Sequence, residues 1–123
     1  IDFKTKYIDF DQKNYKLQIW DIAGGERSFN YGSWAKSYYR LAKGIIISCD
    51  LSDSKSMEKL DYWVNLARNK AVDEPPVIIV GTKSDLLQEI SSDLLIKFAK
   101  ERNIRTVITS SWMELTLLRS LSY

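Results

Sequence analysis

Two short apolar runs constrain the fold of this chain more than any other feature of its sequence. Residues 44–49 (Gly-Ile-Ile-Ile-Ser-Cys) and residues 77–81 (Val-Ile-Ile-Val-Gly) are almost continuously apolar. Such runs are typical of parallel strands whose two faces are both covered by helices. Five apolar residues between them recur at helical spacing, after capping candidates at 52–54: Met57, Leu60, Val64, Ala67 and Ala71. The order predicts a parallel strand-helix-strand unit.

The N-terminal segment predicts a hairpin. Residues 1–10 and 15–21 are strand-like, and the polar residues 11–14 between them read as a turn. In the second strand Leu17 and Ile19 alternate with polar side chains, so we expect one solvated and one buried face.

The C-terminal third continues the alternation of helices and strands. A helix is expected after residues 91–93, then a weaker strand at 105–109, then a short final helix at 113–121. We therefore expect one α/β domain over residues 1–123, with a largely parallel sheet.

Composition excludes several classes of function. The formal charge of +2 is spread without a basic block, so neither nucleic acid nor anionic lipid is an expected partner. No apolar run is long enough to span a bilayer, and the opening residues do not resemble a signal peptide. A lone Cys49 and the absence of His argue against disulfides and metal clusters and favour a reducing, cytoplasmic location.

Two polar segments follow predicted strands, at the edge where open α/β sheets bind ligands. Asp21 could hold a hydrated magnesium ion, and the N–H of Gly24 could approach a phosphate. Asp85, just after residues 77–81, could accept hydrogen bonds from two adjacent N–H groups of a ligand. An ordinary strand-ending turn at 21–24 and a helix-capping acid at Asp85 are the alternatives.

Five collinear segments resemble the Rab branch of the Ras-like small GTPases. They are residues 16–21 (Lys-Leu-Gln-Ile-Trp-Asp), 23–27 (Ala-Gly-Gly-Glu-Arg), 37–42 (Ser-Tyr-Tyr-Arg-Leu-Ala), 50–53 (Asp-Leu-Ser-Asp) and 82–85 (Thr-Lys-Ser-Asp). The resemblance implies a P-loop-NTPase-like α/β fold, binding of GTP or GDP with Mg²⁺, GTP hydrolysis and regulation of vesicle traffic. It also implies endomembrane association.

The resemblance also implies roles for individual residues. Asp21 would hold Mg²⁺ through water, and the nucleotide would contact Gly24, Thr82, Lys83, Asp85 and Ser110. Effector or regulator proteins would read an aromatic surface made of Phe3, Trp20 and Tyr38. The competing interpretation of these three aromatic residues is ordinary packing.

The departures from the family pattern concern phosphate binding and catalysis. The sequence contains no Gly-x-x-x-x-Gly-Lys-Ser/Thr loop, and Gly25 stands where the family has the Gln that orients the attacking water. Losing four charge-assisted contacts of about 2 kcal/mol each would cost nearly six decades of affinity. We therefore expect weak or no nucleotide binding and no GTPase activity from the chain as written. The alternative is a pseudo-GTPase that binds proteins through its aromatic surface.

The family's first strand, first helix and first switch also have no counterpart in this sequence. That strand would lie between the strands at 15–21 and 45–50, so we expect those two strands to pair directly, to leave a groove, or to make the chain unstable. The last residues contain no Cys for prenylation, so we expect this segment to provide no membrane anchor.

Overall fold

The computed structural model describes residues 2–22 and 40–110. The chain divides into two compact units, Ile1–Arg40 and Leu41–Tyr123. The predicted final helix at 113–121 lies outside the described residues.

The first unit contains the predicted hairpin. Strands β1 (Asp2–Phe10) and β2 (Lys13–Asp21) pair antiparallel over nine residues each. Asp11 and Gln12 form the connection with φ of 50° and 61°, which is the backbone of a two-residue type I′ turn. The turn is shorter than predicted because Lys13 and Asn14 already pair with Phe10 and Asp9.

The buried face predicted for β2 is wrong. Every residue of this strand is exposed, and Leu17 and Ile19 retain 40% and 47% of their accessible surface. A two-stranded ribbon has no second layer of its own, so alternation of apolar and polar residues alone cannot bury either face.

The second unit contains the predicted parallel sheet, with the strand order β3-β4-β5. Its elements, in chain order, are β3 (Ile45–Asp50), α1 (Ser54–Glu58), α2 (Leu60–Lys70), β4 (Val77–Thr82), α3 (Ser92–Glu101) and β5 (Arg105–Ile108). The three predicted strands are confirmed to within two residues at each end. The helix predicted after residues 91–93 is also confirmed, with Ser91 as its N-cap.

The core of this unit lies between one face of the sheet and the helices. Its fully buried members come from every layer: Cys49, Leu51, Leu60, Ile79, Leu95 and Ala99. Among the described residues, helices pack on one face of β3: Ile47 and Cys49 are buried, whereas Ile46 is 70% exposed and Ser48 is also exposed. The prediction that helices cover both faces is thus confirmed for one face of β3, and the final helix predicted at 113–121 lies outside the described residues.

The single helix predicted between β3 and β4 is two helices, α1 and α2, which meet at Lys59. Asp53, one of the predicted capping candidates, is the N-cap of α1 and accepts a hydrogen bond from the N–H of Lys55 at 3.0 Å. Met57 on α1 and Leu60 on α2 both pack in the core, so the apolar spacing continues across the break and cannot reveal it. Ala71 lies just beyond α2, at its C-cap.

Strands β2 and β3 belong to different sheets. Each of the two sheets lies within one unit, so the three outcomes expected for the strands at 15–21 and 45–50 stay predictions.

Candidate functional site

The candidate site is built on the carboxyl edge of the parallel sheet. Strands β3, β4 and β5 run in the same direction, so the residues that follow Asp50, Thr82 and Ile108 emerge at one edge. Ligands of open parallel sheets bind at such edges. Three of the predicted base-contacting residues, Lys83, Asp85 and Ser110, lie in the segments that leave this edge.

Thr82 ends β4, and its side chain is used inside the fold. Its Oγ1 donates to the carbonyl oxygen of Cys49 at 3.3 Å, which ties the end of β4 to β3. On the other side of β4, the Thr109 N–H donates to the Gly81 carbonyl at 2.8 Å. The three strand ends are thus held together where the loops begin.

Gly81 permits this close packing. A Cβ placed on it would meet Ile108 Cδ1 and Leu95 Cδ2 at 2.9 Å, and Leu51 Cδ1 at 3.1 Å. A side chain at this position would therefore force these three side chains, from β5, α3 and the segment after β3, to shift.

Lys83 forms an ion pair across the strand ends. Its Nζ lies 2.7 Å from Oδ2 of Asp50, the last residue of β3. The other oxygen of Asp50, Oδ1, accepts from the Ser52 N–H at 2.9 Å and from the Ser52 hydroxyl at 2.6 Å. Both carboxylate oxygens of Asp50 are therefore engaged.

These contacts shift the pKa values of the pair in opposite directions. The bond to Lys83, followed by that to Ser52, lowers the pKa of Asp50 from its ordinary 3.8. The same bond raises the pKa of Lys83 from 10.5. Neighbouring Cys49 is fully buried, and burial, aided by the charge of Asp50, raises its pKa to about 11, so it stays a thiol at neutral pH.

The backbone of the loop after β4 is unusual at Lys83. Its φ of 57° is in the left-handed region, which costs a residue with a Cβ on the order of 1–3 kcal/mol. The turn that follows is closed by the Leu86 N–H, which donates to the Lys83 carbonyl at 3.1 Å. The Ser84 N–H donates to the Thr109 carbonyl at 3.3 Å. This last bond brings Asp85 and Ser110 near each other, since each is one residue away from it.

Asp85 and Ser110 differ in exposure. Asp85 is exposed, and its carboxylate has no hydrogen bond or ion pair with the residues that the structure describes. Ser110 is 3% exposed at the start of the segment after β5. An acceptor group that the fold leaves available is what recognition of guanine N–H groups requires.

The far end of the same loop is bound to the segment after β3. The Leu51 carbonyl accepts from the N–H groups of both Glu89 and Ile90, at 2.9 and 3.0 Å. Glu89 Oε2 in turn accepts from the Ser54 N–H at 2.9 Å. The loop is therefore fixed at both ends to residues 50–54.

The first unit carries the other predicted residues. Phe3 and Trp20 are cross-strand partners whose ring centroids lie 4.5 Å apart at an interplanar angle of 45°, and they are 43% and 46% exposed. Asp21 is exposed at the end of β2. Gly24, Gly25 and Tyr38 lie outside the described residues.

Sequence reasoning missed the role of Asp50 at this edge. The residue was part of the matching segment 50–53, but it was not assigned a function. The sequence indicated only that Asp50 ends a predicted strand, at the same sheet edge as the segment 82–85, and the pairing with Lys83 required the structure.

Comparison with known proteins agrees with the geometry. The profile of the Ras family matches residues 1–118. Ras-related protein Rab-13 of Canis lupus familiaris is 35% identical over 113 residues, and GTP-binding protein YPTM2 of Zea mays is 38% identical over 113 residues. Ras-related protein SEC4 of Saccharomyces cerevisiae is 36% identical over 112 residues.

Each of these alignments covers 90% of this chain. The chain belongs to the Ras family, and its α/β fold with a parallel sheet and packed helices is the Ras-like fold. It spans about half the length of the curated relatives it matches, 54% of the first two and 51% of the third. In the part of the chain that the structure describes, no helix is long and apolar enough to cross a membrane.

Proposed function

We propose that this chain supplies the guanine-recognition part of a Rab-like small GTPase. The whole protein would bind GTP or GDP with Mg²⁺, hydrolyse GTP and regulate vesicle traffic. The observation that carries this proposal is the exposed Asp85 carboxylate, held at the carboxyl edge of the parallel sheet in a Ras-family chain.

Asp85 has the chemistry that guanine recognition needs. Guanine presents two adjacent N–H donors, whereas the same edge of adenine offers no such pair. A carboxylate that accepts both would contribute about 1.5–3 kcal/mol per bond and discriminate against adenine. In this role Lys83 and Ser110 would contact the base, and Thr82 would act indirectly by fixing the strand ends through the carbonyl of Cys49.

The phosphate side of the site is proposed from the sequence match. Asp21 is an oxygen ligand suited to hydrated Mg²⁺, and Gly24 would leave its N–H open to a phosphate. Since Gly25 has no side chain to orient water, hydrolysis would be slow. Without a Gly-rich loop beside this site, the chain by itself would bind nucleotide weakly, with a dissociation constant of roughly 1 mM.

The test is competitive nucleotide binding by the longest natural protein that contains this sequence. GDP should displace a fluorescent GDP analogue far better than ADP does, and Asp85→Ala should abolish that preference. Asp93→Ala, which removes an exposed carboxylate from the first turn of α3, is the matched control and should keep it. An unchanged preference in Asp85→Ala would disprove the assignment of Asp85.

A second function is favoured by the aromatic pair on the hairpin. Phe3 and Trp20 are in tilted ring contact across the strands and remain more than 40% exposed, so both could contact a partner protein. With Tyr38 they would form a surface for effector or regulator proteins. That function requires no hydrolysis and would persist in a pseudo-GTPase.

This surface is tested with purified effector domains of Rab proteins. Trp20→Ala should weaken binding of a responsive domain by about 2 kcal/mol or more, measured by calorimetry. Tyr7→Ala is the control, because Tyr7 is on the same face of β1 as Phe3, is 74% exposed, and pairs with Lys16 rather than with an aromatic residue. Equal losses in both variants would argue against a specific aromatic anchor.

A further inference from the structure

We propose that Asp50 is a positioning residue for base recognition, which holds the Asp85 loop in its working geometry through the ion pair with Lys83. The inference rests on the proposed function, since it concerns the same site. Asp50 would not touch the nucleotide. It would act through Lys83 and the turn that follows.

The first support is the geometry around Lys83. Its left-handed backbone, with φ of 57°, is unfavourable for a residue with a side chain and persists only where its surroundings impose it. The 2.7 Å contact between Lys83 Nζ and Asp50 Oδ2 is the charged interaction that holds this side chain. Asp85 is two residues further on, so the direction of its carboxylate depends on the backbone at Lys83.

The second support is that Asp50 is itself rigidly placed. It is the last residue of β3, and its sequence neighbours Cys49 and Leu51 are fully buried. In the sheet it is the register partner of Thr82. Two donors of Ser52 fix its Oδ1, which leaves Oδ2 directed to Lys83. An anchor of this kind can impose a conformation on a loop, whereas a mobile surface carboxylate cannot.

The third support is the way the same segment holds the other end of the loop. Leu51 accepts hydrogen bonds from Glu89 and Ile90, and the N–H of Ser54 donates to Glu89. Residues 50–54 thus restrain the loop at Lys83 and again at Glu89. Asp85 lies between these two attachments, of which the one at Lys83 is an ion pair and the one at Glu89 consists of hydrogen bonds.

The test compares two ion pairs of the same length. Asp50→Asn removes the charge opposite Lys83, and Asp61→Asn removes the charge opposite Arg102, whose Nη2 also lies 2.7 Å from its partner. The preference for GDP over ADP is measured for the wild-type protein and both variants with fluorescent GDP and ADP analogues and Mg²⁺. Asp50→Asn should reduce the preference by about tenfold, and Asp61→Asn should leave it unchanged.

A milder variant, Ser52→Ala, keeps the test decisive if Asp50→Asn does not fold. Ser52→Ala removes the hydroxyl that donates to Asp50 Oδ1 at 2.6 Å and should lower the preference by about two- to threefold. If Asp50→Asn or, should that variant not fold, Ser52→Ala kept the full preference of the wild type, the proposal would be overturned. Equal loss in Asp61→Asn would also overturn it, since the effect would then follow stability alone.

A nucleotide-free measurement separates this proposal from the proposed function. Backbone amide chemical shifts of Ser84, Asp85 and Leu86 should move in Asp50→Asn and stay in place in Asp61→Asn. If the wild-type protein showed no preference for GDP, the proposed function would fail, and these shifts would still decide whether Asp50 positions the loop. Unmoved shifts in Asp50→Asn would refute that role.

Discussion

The hairpin and the parallel-sheet unit use similar apolar residues with opposite results. Leu17 and Ile19 in the hairpin are 40% and 47% exposed, whereas Leu95 and Ile79 in the second unit are completely buried. Residue type and strand periodicity do not account for this difference. What differs is the helical layer, because α2 and α3 pack on the sheet of the second unit and the hairpin has no such layer among the described residues. Burial therefore follows from the supporting layer.

The same contrast separates the two halves of the proposed function. In the parallel-sheet unit, the loop that carries Asp85 is fixed by hydrogen bonds to two neighbouring segments. In the hairpin, the strand register places the aromatic rings of Phe3 and Trp20 opposite each other. We therefore expect substitutions in the core beneath this loop to change the stability of the fold. Substitutions on the hairpin should instead change the affinity for partner proteins.

The largest expected effect is in the core of the second unit. Leu95→Ala should lower the free energy of unfolding by about 2–5 kcal/mol, because it leaves a cavity between α3 and the sheet. Leu94→Ala, at the next residue of the same helix, is the control and should change it by less than about 0.5 kcal/mol, since Leu94 is 50% exposed. Urea denaturation measures both, and similar losses would contradict the described packing.

A smaller effect is expected from filling the space at Gly81. Gly81→Ala should destabilise by about 1–3 kcal/mol, because the new methyl group would meet two side chains at 2.9 Å. Gly44→Ala is the control, because the nearest atom to its Cβ would be the Pro76 carbonyl oxygen at 3.9 Å. If thermal unfolding placed the two variants at the same temperature, the close packing at β4 would be refuted.

The ion pair at the site predicts a pH dependence of stability. The pKa of Asp50 is lowered from 3.8 in the folded protein, so its stabilising contribution is present above that value and is lost as pH falls through the lower, folded pKa. The pKa of Lys83 is raised from 10.5, so its contribution is present below that value and is lost as pH rises through the higher, folded pKa.

The corresponding measurement is the urea midpoint of the wild type and Asp50→Asn at a series of pH values. The wild type should have the higher urea midpoint at neutral pH, and the difference between the two midpoints should disappear as the pH falls below 3.8. A gap that stays constant down to about pH 2 would show that the charge of Asp50 does not contribute.

The smallest effect is expected on the hairpin. Ile19→Thr should change the free energy of unfolding by less than about 0.5 kcal/mol, since Ile19 is half exposed and Thr keeps the β-branched shape that strands favour. Ile47→Thr, a buried counterpart in β3, should cost several times more. If Ile19→Thr lowered the free energy of unfolding by about 2 kcal/mol, Ile19 would be covered by another layer in solution. The contrast between the hairpin and the second unit would then be wrong.

Local patterns in the sequence were enough to predict most elements of the fold. The apolar runs located β3 and β4, the turn residues located the hairpin, and the serine before α3 located its N-cap. These features are encoded within a few residues of the element itself. The exposure of Ile46 and Ile19 was not predictable, because it depends on which layer packs against each strand.

The position of the candidate site in the fold was predictable, whereas its contacts were not. The segment 82–85 follows an apolar run that was predicted to be a parallel strand, which places the segment at the carboxyl edge of the sheet. Three-dimensional structure was needed to see that Thr82 bonds inward to Cys49 and that Lys83 pairs with Asp50. Both contacts join residues 33 apart in sequence, and no local pattern encodes them.

The most direct test of the account is the base specificity of Asp85→Asn. A carboxylate accepts both N–H groups of guanine, whereas an amide can donate to the C2 carbonyl of xanthine and accept from its N1–H. In the longest natural protein containing this sequence, calorimetry should show a preference for GDP over xanthosine diphosphate in the wild type and the reverse in Asp85→Asn. Retention of the GDP preference in the variant would contradict the assignment of Asp85 as the group that recognises the base.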